Sequence, residues 1–198
     1  MLQLGYDALE PQTIRELFRE QGGHVPRLRS HAYRVRKLGF RDREALDRLW
    51  ERVRHSYPFA CVRDFRRLRT RYLARPDGSY HVFGVSPRFS RDLVAWVVFS
   101  MVEGHCCWVD LLWDHQHPGA LELLVRLSHR LSVQLGGTRE KIWIHGDGET
   151  EGRLVEQGFL ARQRSLPLVF VARAFRSDID LRNLDGRVYL TMGDTDLY

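Results

Sequence analysis

The sequence predicts an α/β domain, a mixed sheet of about six or seven strands flanked by helices. Three observations carry this. Residues 93–102 and His105–Trp113 are two apolar runs of strand length joined by Glu103-Gly104, which reads as a β-hairpin. Residues 118–135 place Leu121, Leu124, Val125, Leu131 and Leu135 at helical spacing, and Pro118 and Gly136-Gly137 punctuate the two ends. The chain as a whole alternates strand, two helices, three strands, long helix, strand, short helix, strand, an order that suits a sheet covered by helices.

Each element has its own local warrant. Residues 1–30 read as an extension, because Ile14, Leu17 and Phe18 follow a helical period behind Pro11 and Gly22-Gly23 closes the segment. The main domain is expected from His31 onward, over residues 31–198. Residues 32–38 alternate small or apolar with basic side chains, as an edge strand does. Residues 41–55 carry Ala45, Leu46, Leu49, Trp50 and Val53 on one helical face, with Asp42 available as a cap. Residues 64–73 give a second amphipathic helix with Phe65, Leu68 and Tyr72 inward. Pro76-Asp77-Gly78 is a turn, since proline presets its φ and glycine accepts a positive one. A strand is expected at 80–85, ahead of the hairpin. A short strand follows the long helix at 141–145, then a helix at 149–157 closed by Gly158. One or two strands fill 159–171 around Pro167. Residues 173–186 are polar and expected on the surface, and 188–198 start apolar enough to dock on the sheet.

Composition narrows the class. The 198 residues are 43% hydrophobic and 11% aromatic, enough for a packed core. No apolar run approaches the roughly 18 residues that span a bilayer, so no membrane span is expected, and no secretory leader is visible. Three cysteines, two of them adjacent (Cys106, Cys107), make a disulfide framework improbable and a cytoplasmic location natural. The net charge is +6, and every basic residue except Lys37 and Lys141 is arginine. That balance suits nucleic acid, anionic lipid or a phosphorylated ligand, and equally an arginine-rich codon bias.

Several stretches resemble the GNAT superfamily of acyl-CoA-dependent N-acyltransferases over residues 31–198. Cys107-Trp108-Val109-Asp110-Leu111-Leu112-Trp113-Asp114 is similar to the family's central strand, which leads into the helix that holds the CoA pyrophosphate. Leu154-Val155-Glu156-Gln157-Gly158-Phe159 resembles its late helix ending in a Gly-Phe pair. Tyr189-Leu190-Thr191-Met192-Gly193-Asp194-Thr195-Asp196 resembles the closing stretch of a bacterial GNAT-like subgroup, often found as tandem two-domain chains with one degenerate half. The resemblance implies an acyl (acetyl) group passed from acetyl-CoA or another acyl-CoA directly to a small-molecule amine. The thioester would sit between the Cys107–Asp114 and Lys141–His145 strands, its carbonyl polarised by a backbone N–H near Leu111 or Leu112, with Trp113 beside it.

The departures from that family are specific. Where its members carry a glycine-rich loop, this chain reads Asp114-His115-Gln116-His117-Pro118-Gly119-Ala120. Proline removes an N–H donor and Asp114 repels a pyrophosphate, leaving the amides of Gly119 and Ala120 as the cofactor contacts. The family's tyrosine acid, four residues before the Gly of Gly-Phe, is Leu154 here.

The resemblance makes Asp110 the candidate base, since a carboxylate against apolar walls holds its proton more tightly and is better matched to an amine. The other reading is a carboxylate paired with an arginine. His145 is the second candidate, as acid or base, or else a plain strand-end residue. His115 and His117 lack a second distant ligand pair, so no metal site is assigned. Cys106 and Cys107 read as small core residues rather than nucleophiles. Arg63, Arg67 and Arg71 align on one helix face, which reads foremost as solvated and otherwise as a border of an anionic acceptor pocket or a phosphate contact; nucleic acid is not the favoured partner. Two functions stay open, an N-acyltransferase and a non-catalytic GNAT-like module that contacts a second copy or a GNAT-like partner domain.

Overall fold

A computed structural model describes residues 7–8, 12–20, 22, 27–57, 59–75, 79–168, 171–172 and 187–195. In chain order its strands are β1 (Asp7–Ala8), β2 (Gln12–Glu20), β3 (Tyr33–Lys37), β4 (Phe59–Ala60), β5 (Tyr80–Pro87), β6 (Ala95–Val102), β7 (His105–Trp113), β8 (Arg139–His145), β9 (Leu160–Leu168), β10 (Val171–Ala172) and β11 (Val188–Thr191). The helices are α1 (Arg43–Val53), α2 (Phe65–Leu68, continued by a wider turn over Arg69–Leu73), α3 (Pro118–Gln134) and α4 (Gly148–Glu156). The expected turn at Pro76-Asp77-Gly78 and the polar stretch 173–186 lie outside the described residues. No helix among the described residues is long and apolar enough to cross a membrane.

One mixed sheet runs β3-β5-β6-β7-β8-β11-β4, with β2 and β9 attached at β8, and β1 pairs separately with β10. The α/β class and the mixed sheet of the sequence reading hold. β3, β5, β6 and β7 pair antiparallel in succession, while β7 and β8 run parallel across the α3 connection. Glu103 and Gly104 both take positive φ at the hairpin tip. Pro118 starts α3, and Gly136 and Gly158 adopt left-handed φ just past α3 and α4. Asp64 caps α2 through the Arg67 amide at 2.9 Å. Trp96, Phe99, Trp108, Leu121, Leu124 and Phe159 form the centre of the core.

The helix expected at residues 11–18 is a correction. That segment is β2, antiparallel to β8 from Arg15↔Ile144 to Glu20↔Arg139, and it also pairs with β9. Three apolar residues matched a helical period, but β8 needed a partner along that edge, and ladder bonds plus side-chain anchoring outweigh local propensity. Arg19 supplies the anchor. Its guanidinium donates to buried Glu140 at 2.6 Å and to the carbonyls of Val125 and Gln157, and it lies 4.9 Å from the centre of the Phe159 ring. Leu17, on the same face of β2, is fully buried.

Candidate functional site: the gap between β7 and β8

The parallel ladder of β7 and β8 extends only from His105↔Arg139 to Trp108↔Ile142. At that point β7 carries a bulge. Val98 opposes Asp110 while Phe99 opposes Trp108, so Val109 is an extra residue that bends the strand. β8 then turns to a different neighbour on the edge it had shared with β7. Ile144 and His145 pair antiparallel with Thr191 and Leu190 of β11, while β2 holds the opposite edge. The strands do part, as expected, and residues 188–194 fill the opening.

The insert is packed and bonded through Tyr189, Thr191, Met192, Gly193 and Asp194. Tyr189 is fully buried, stacks at 4.5 Å on Tyr57, lies 4.6 Å below the Arg63 guanidinium, and donates its hydroxyl proton to the Leu111 carbonyl at 2.9 Å. The Thr191 hydroxyl donates to Asp110 at 3.0 Å. Met192 is fully buried. Gly193 packs where a β-carbon would lie 2.2 Å from the Tyr72 hydroxyl and 3.1 Å from the Val109 carbonyl oxygen. Asp194 closes the turn by accepting from the Thr191 amide at 2.9 Å.

Two cations and two anions join the insert to the strands and helix beneath it, buried except for part of Arg67. Arg63, with no exposed side-chain surface, donates to Asp110 at 3.0 Å and to Asp194. Arg67 donates to Asp194 at 2.5 Å and to the Gly193 carbonyl at 3.0 Å, and Arg71 reaches the Thr195 carbonyl at 3.0 Å. Asp110 accepts in addition from Tyr72 at 2.9 Å and from the amide of Leu111 at 3.0 Å. Burial works against the charge on Asp194, but Arg63 and Arg67 outweigh it and hold its carboxyl below the usual range. The aligned arginines read as a solvated helix face are therefore corrected. Their guanidinium groups turn inward because a distant acidic turn supplies the carboxylate and carbonyls that match them.

The mouth of the gap is also bridged. His115, just past β7, sits 3.3 Å from Asp147 and 3.2 Å from Glu149, both beyond β8, and 3.3 Å from the Tyr57 hydroxyl. Asp147 caps α4 through the Thr150 amide at 3.0 Å, and Trp113 donates its indole N–H to the Thr150 hydroxyl at 2.6 Å. Burial alone would lower the His115 pKa, yet Asp147, Glu149 and Asp114 raise it. Burial likewise opposes the charge on Asp147, and His115 and Thr150 lower its pKa.

The signs fix a pH dependence. Asp147 and Asp194 contribute stability above their ordinary 3.8, lost as pH falls through their depressed folded values. His115 contributes below its ordinary 6.5, and this is lost as pH rises through its raised folded value. Urea midpoints measured from about pH 3 to about pH 9 are expected to fall on both sides of an acidic plateau. His115→Gln should flatten the alkaline side; an unchanged decline there would remove His115 as its source.

At the head of α3, Tyr33 packs against the helix start. A β-carbon on Gly119 would meet the Tyr33 ring at 2.9 Å, and the Tyr33 hydroxyl contacts His117 at 3.2 Å. The Ala120 amide donates to the His117 carbonyl at 2.9 Å. Asp114 accepts from the Gln116 amide at 3.0 Å and from Arg52 at 2.9 Å.

The residues singled out by sequence thus fall in three places. Asp110, Leu111, Leu112 and Trp113 line the buried wall of the gap, all at 0% exposure. Gly119 and Ala120 lie at the helix start beside Tyr33 and His117. His145 borders a separate cleft of about 540 Å³ with Arg15, Asp147 and Glu151, and its Nε2 has no hydrogen-bond partner among the described residues. β11 stands between His145 and Asp110, since it pairs with the first and bonds the second. Cys106 and Cys107 are buried, and burial raises both thiols, Cys107 to about 11. Sequence reasoning missed Tyr57, Tyr72, Tyr189, Thr191 and Asp194 as members of one site. The available signal was charge, an acidic turn after Thr191 and an arginine stripe.

No protein-family model and no curated protein sequence matches the chain. Solved structures do. A probable N-acyltransferase of Enterococcus faecalis aligns over 73% of this chain and 36% of its own, at 12% identity and a TM-score of 0.54. The GNAT domain of S. lividans PAT aligns over 70% and 88%, at 16% identity and 0.52. A GCN5-related N-acetyltransferase of Kribbella flavida aligns over 85% and 37%, at 12% identity and 0.50. The chain spans about a third of the enterococcal and Kribbella proteins. Its parted parallel strands, bulged central strand and α3 crossover give it the fold of the GNAT N-acetyltransferases.

Proposed function

We propose that this chain is a GNAT-fold module that works through contact with another polypeptide and does not load acyl-CoA between β7 and β8. The observation that carries the reading is the occupation of the gap by residues 188–194. Groups that transfer would require there are engaged or crowded. The Leu111 N–H, one of the two expected carbonyl donors beside that of Leu112, bonds Asp110. Asp110, the expected base, accepts from Arg63, Tyr72 and Thr191. The head of α3, the expected phosphate seat, has Tyr33 packed against Gly119 and is flanked by Asp114. The residues present therefore do not fit acetyl-CoA or another acyl-CoA, and no transfer step is derived. A small-molecule amine acceptor would likewise have no thioester to attack.

Titration calorimetry with acetyl-CoA and longer acyl-CoAs is expected to give no heat and no thermal stabilisation up to roughly millimolar ligand, where any specific site would stabilise the fold by mass action. A saturable isotherm in that range would overturn the module reading and restore the transferase.

A further inference from the structure

We propose that the cleft at the head of β3, between the segment 29–34 and the β5–β6 loop, binds single-stranded nucleic acid, with phosphates on Arg29, Arg34 and Arg88 and a base stacked on Phe89. This goes beyond the module reading and uses none of the residues that fill the β7–β8 gap.

The arginine stripe of α2 is turned inward, so the surplus positive charge of the chain is presented elsewhere. Arg63, Arg67, Arg19 and Arg52 are taken up by carboxylates. Arg29, Arg34 and Arg88 are exposed, and all three line one cleft of about 960 Å³ together with His31 and Tyr33. Among the described residues no acidic side chain lines that cleft, and none pairs with these three arginines. Arg34 donates to the Ser90 carbonyl at 2.7 Å and Arg88 to that of Ser30 at 3.4 Å, which ties the two walls together. Each guanidinium has five N–H donors, so most of its fork stays available to a phosphate. Arg126 reaches the Arg29 carbonyl at 3.5 Å and brings a further cation to the border.

Phe89 selects among anions. It is 98% exposed, within Arg88-Phe89-Ser90-Arg91 at the rim of the cleft. A bare ring beside an arginine-lined groove is a stacking platform, because every nucleobase offers a flat face to cover it. An acidic side chain would match the arginines and leave the ring bare. A bilayer is met by a projecting apolar face, whereas these guanidinium groups line a concavity. Arg91 and Arg126 extend the positive ground past the cleft, which suits a polymer of repeated phosphates.

Fluorescence anisotropy of a labelled oligothymidylate of about twelve nucleotides, titrated with the full chain, tests this. Three phosphate contacts give a slope of log affinity against log salt of about −2, so affinity is expected to fall roughly twentyfold from about 50 to about 200 mM salt. Arg34→Ala and Arg88→Ala should each make the slope shallower by about 0.7. Phe89→Ala should weaken binding roughly tenfold at an unchanged slope. These side chains are exposed, so the fold is retained, and Arg69→Ala, at an exposed arginine outside the cleft, should leave binding unchanged. No saturable binding at about 50 mM salt would overturn the proposal. An indifferent Phe89→Ala would also overturn it, as would equal losses from Arg69→Ala and the cleft variants, the mark of diffuse charge attraction. Displacement by polyglutamate or a free nucleotide as readily as by unlabelled oligonucleotide, or binding to phosphatidylserine vesicles in its place, would do the same. The module reading fails separately, on acyl-CoA heat that survives Phe89→Ala.

Discussion

Asp194→Ala is expected to lower the unfolding free energy by about 3–5 kcal/mol, the usual cost of removing one partner of a buried ion pair. Arg63 would keep Asp110 as its sole carboxylate, with no route to solvent because its side chain is fully buried. Arg67 would lose its 2.5 Å contact, and the Thr191 amide its acceptor, so the turn that seats β11 would open. For a domain of this size that loss corresponds to a fall in Tm of roughly 6–20 °C. Arg71→Ala supplies the contrast. Arg71 is only partly buried and reaches one carbonyl, that of Thr195, so about 1 kcal/mol is expected. Urea unfolding followed by tryptophan fluorescence compares the two. Equal, small losses would mean that the buried charges do not hold the insert.

Gly146→Ala should cost as much by a different route. Gly146 has φ of 74°, and an added β-carbon would lie 2.3 Å from the Val188 carbonyl oxygen and 2.7 Å from its carbon. The left-handed conformation costs about 1–2 kcal/mol for a non-glycine residue, and overpacking against backbone adds about 1–3 kcal/mol. Neither clash is relieved by a rotamer change, because the obstacle is the β11 main chain. Gly193→Ala presses on the other side, where the Tyr72 hydroxyl is fixed by its bond to Asp110. Both variants should raise amide hydrogen exchange across residues 188–194 well before β6 and β7 respond. Unchanged exchange there would show that the insert tolerates displacement, contrary to the packing described.

What could be read from the chain follows the range of each signal. Pro118, Gly136 and Gly158 mark helix ends through local backbone preferences, and the structure puts the ends where those residues stand. Residues His105–Trp113 were legible to the residue, because apolar continuity and a turn at Glu103-Gly104 bound them on one side. The arginine stripe was visible as a stripe, but its partner lies more than 120 residues later. No local pattern joins Arg67 to Asp194. Asp110 carried both readings in the sequence, a base or a paired carboxylate, and only its surroundings separate them.

The sequence by itself determined the α/β class and the order of the core elements, since these reside in periodicity and in single residues such as Pro118 and Gly136. The tertiary structure decided what lies on either edge of β8. One edge took β2, whose apolar spacing had matched a helix, and the other took β7 and then β11. Edge pairing is a contest between distant segments for unpaired N–H and C=O groups, and its outcome depends on which one also satisfies the buried side chains around it. Arg19 on Glu140 and Asp194 on Arg63 settled that contest here.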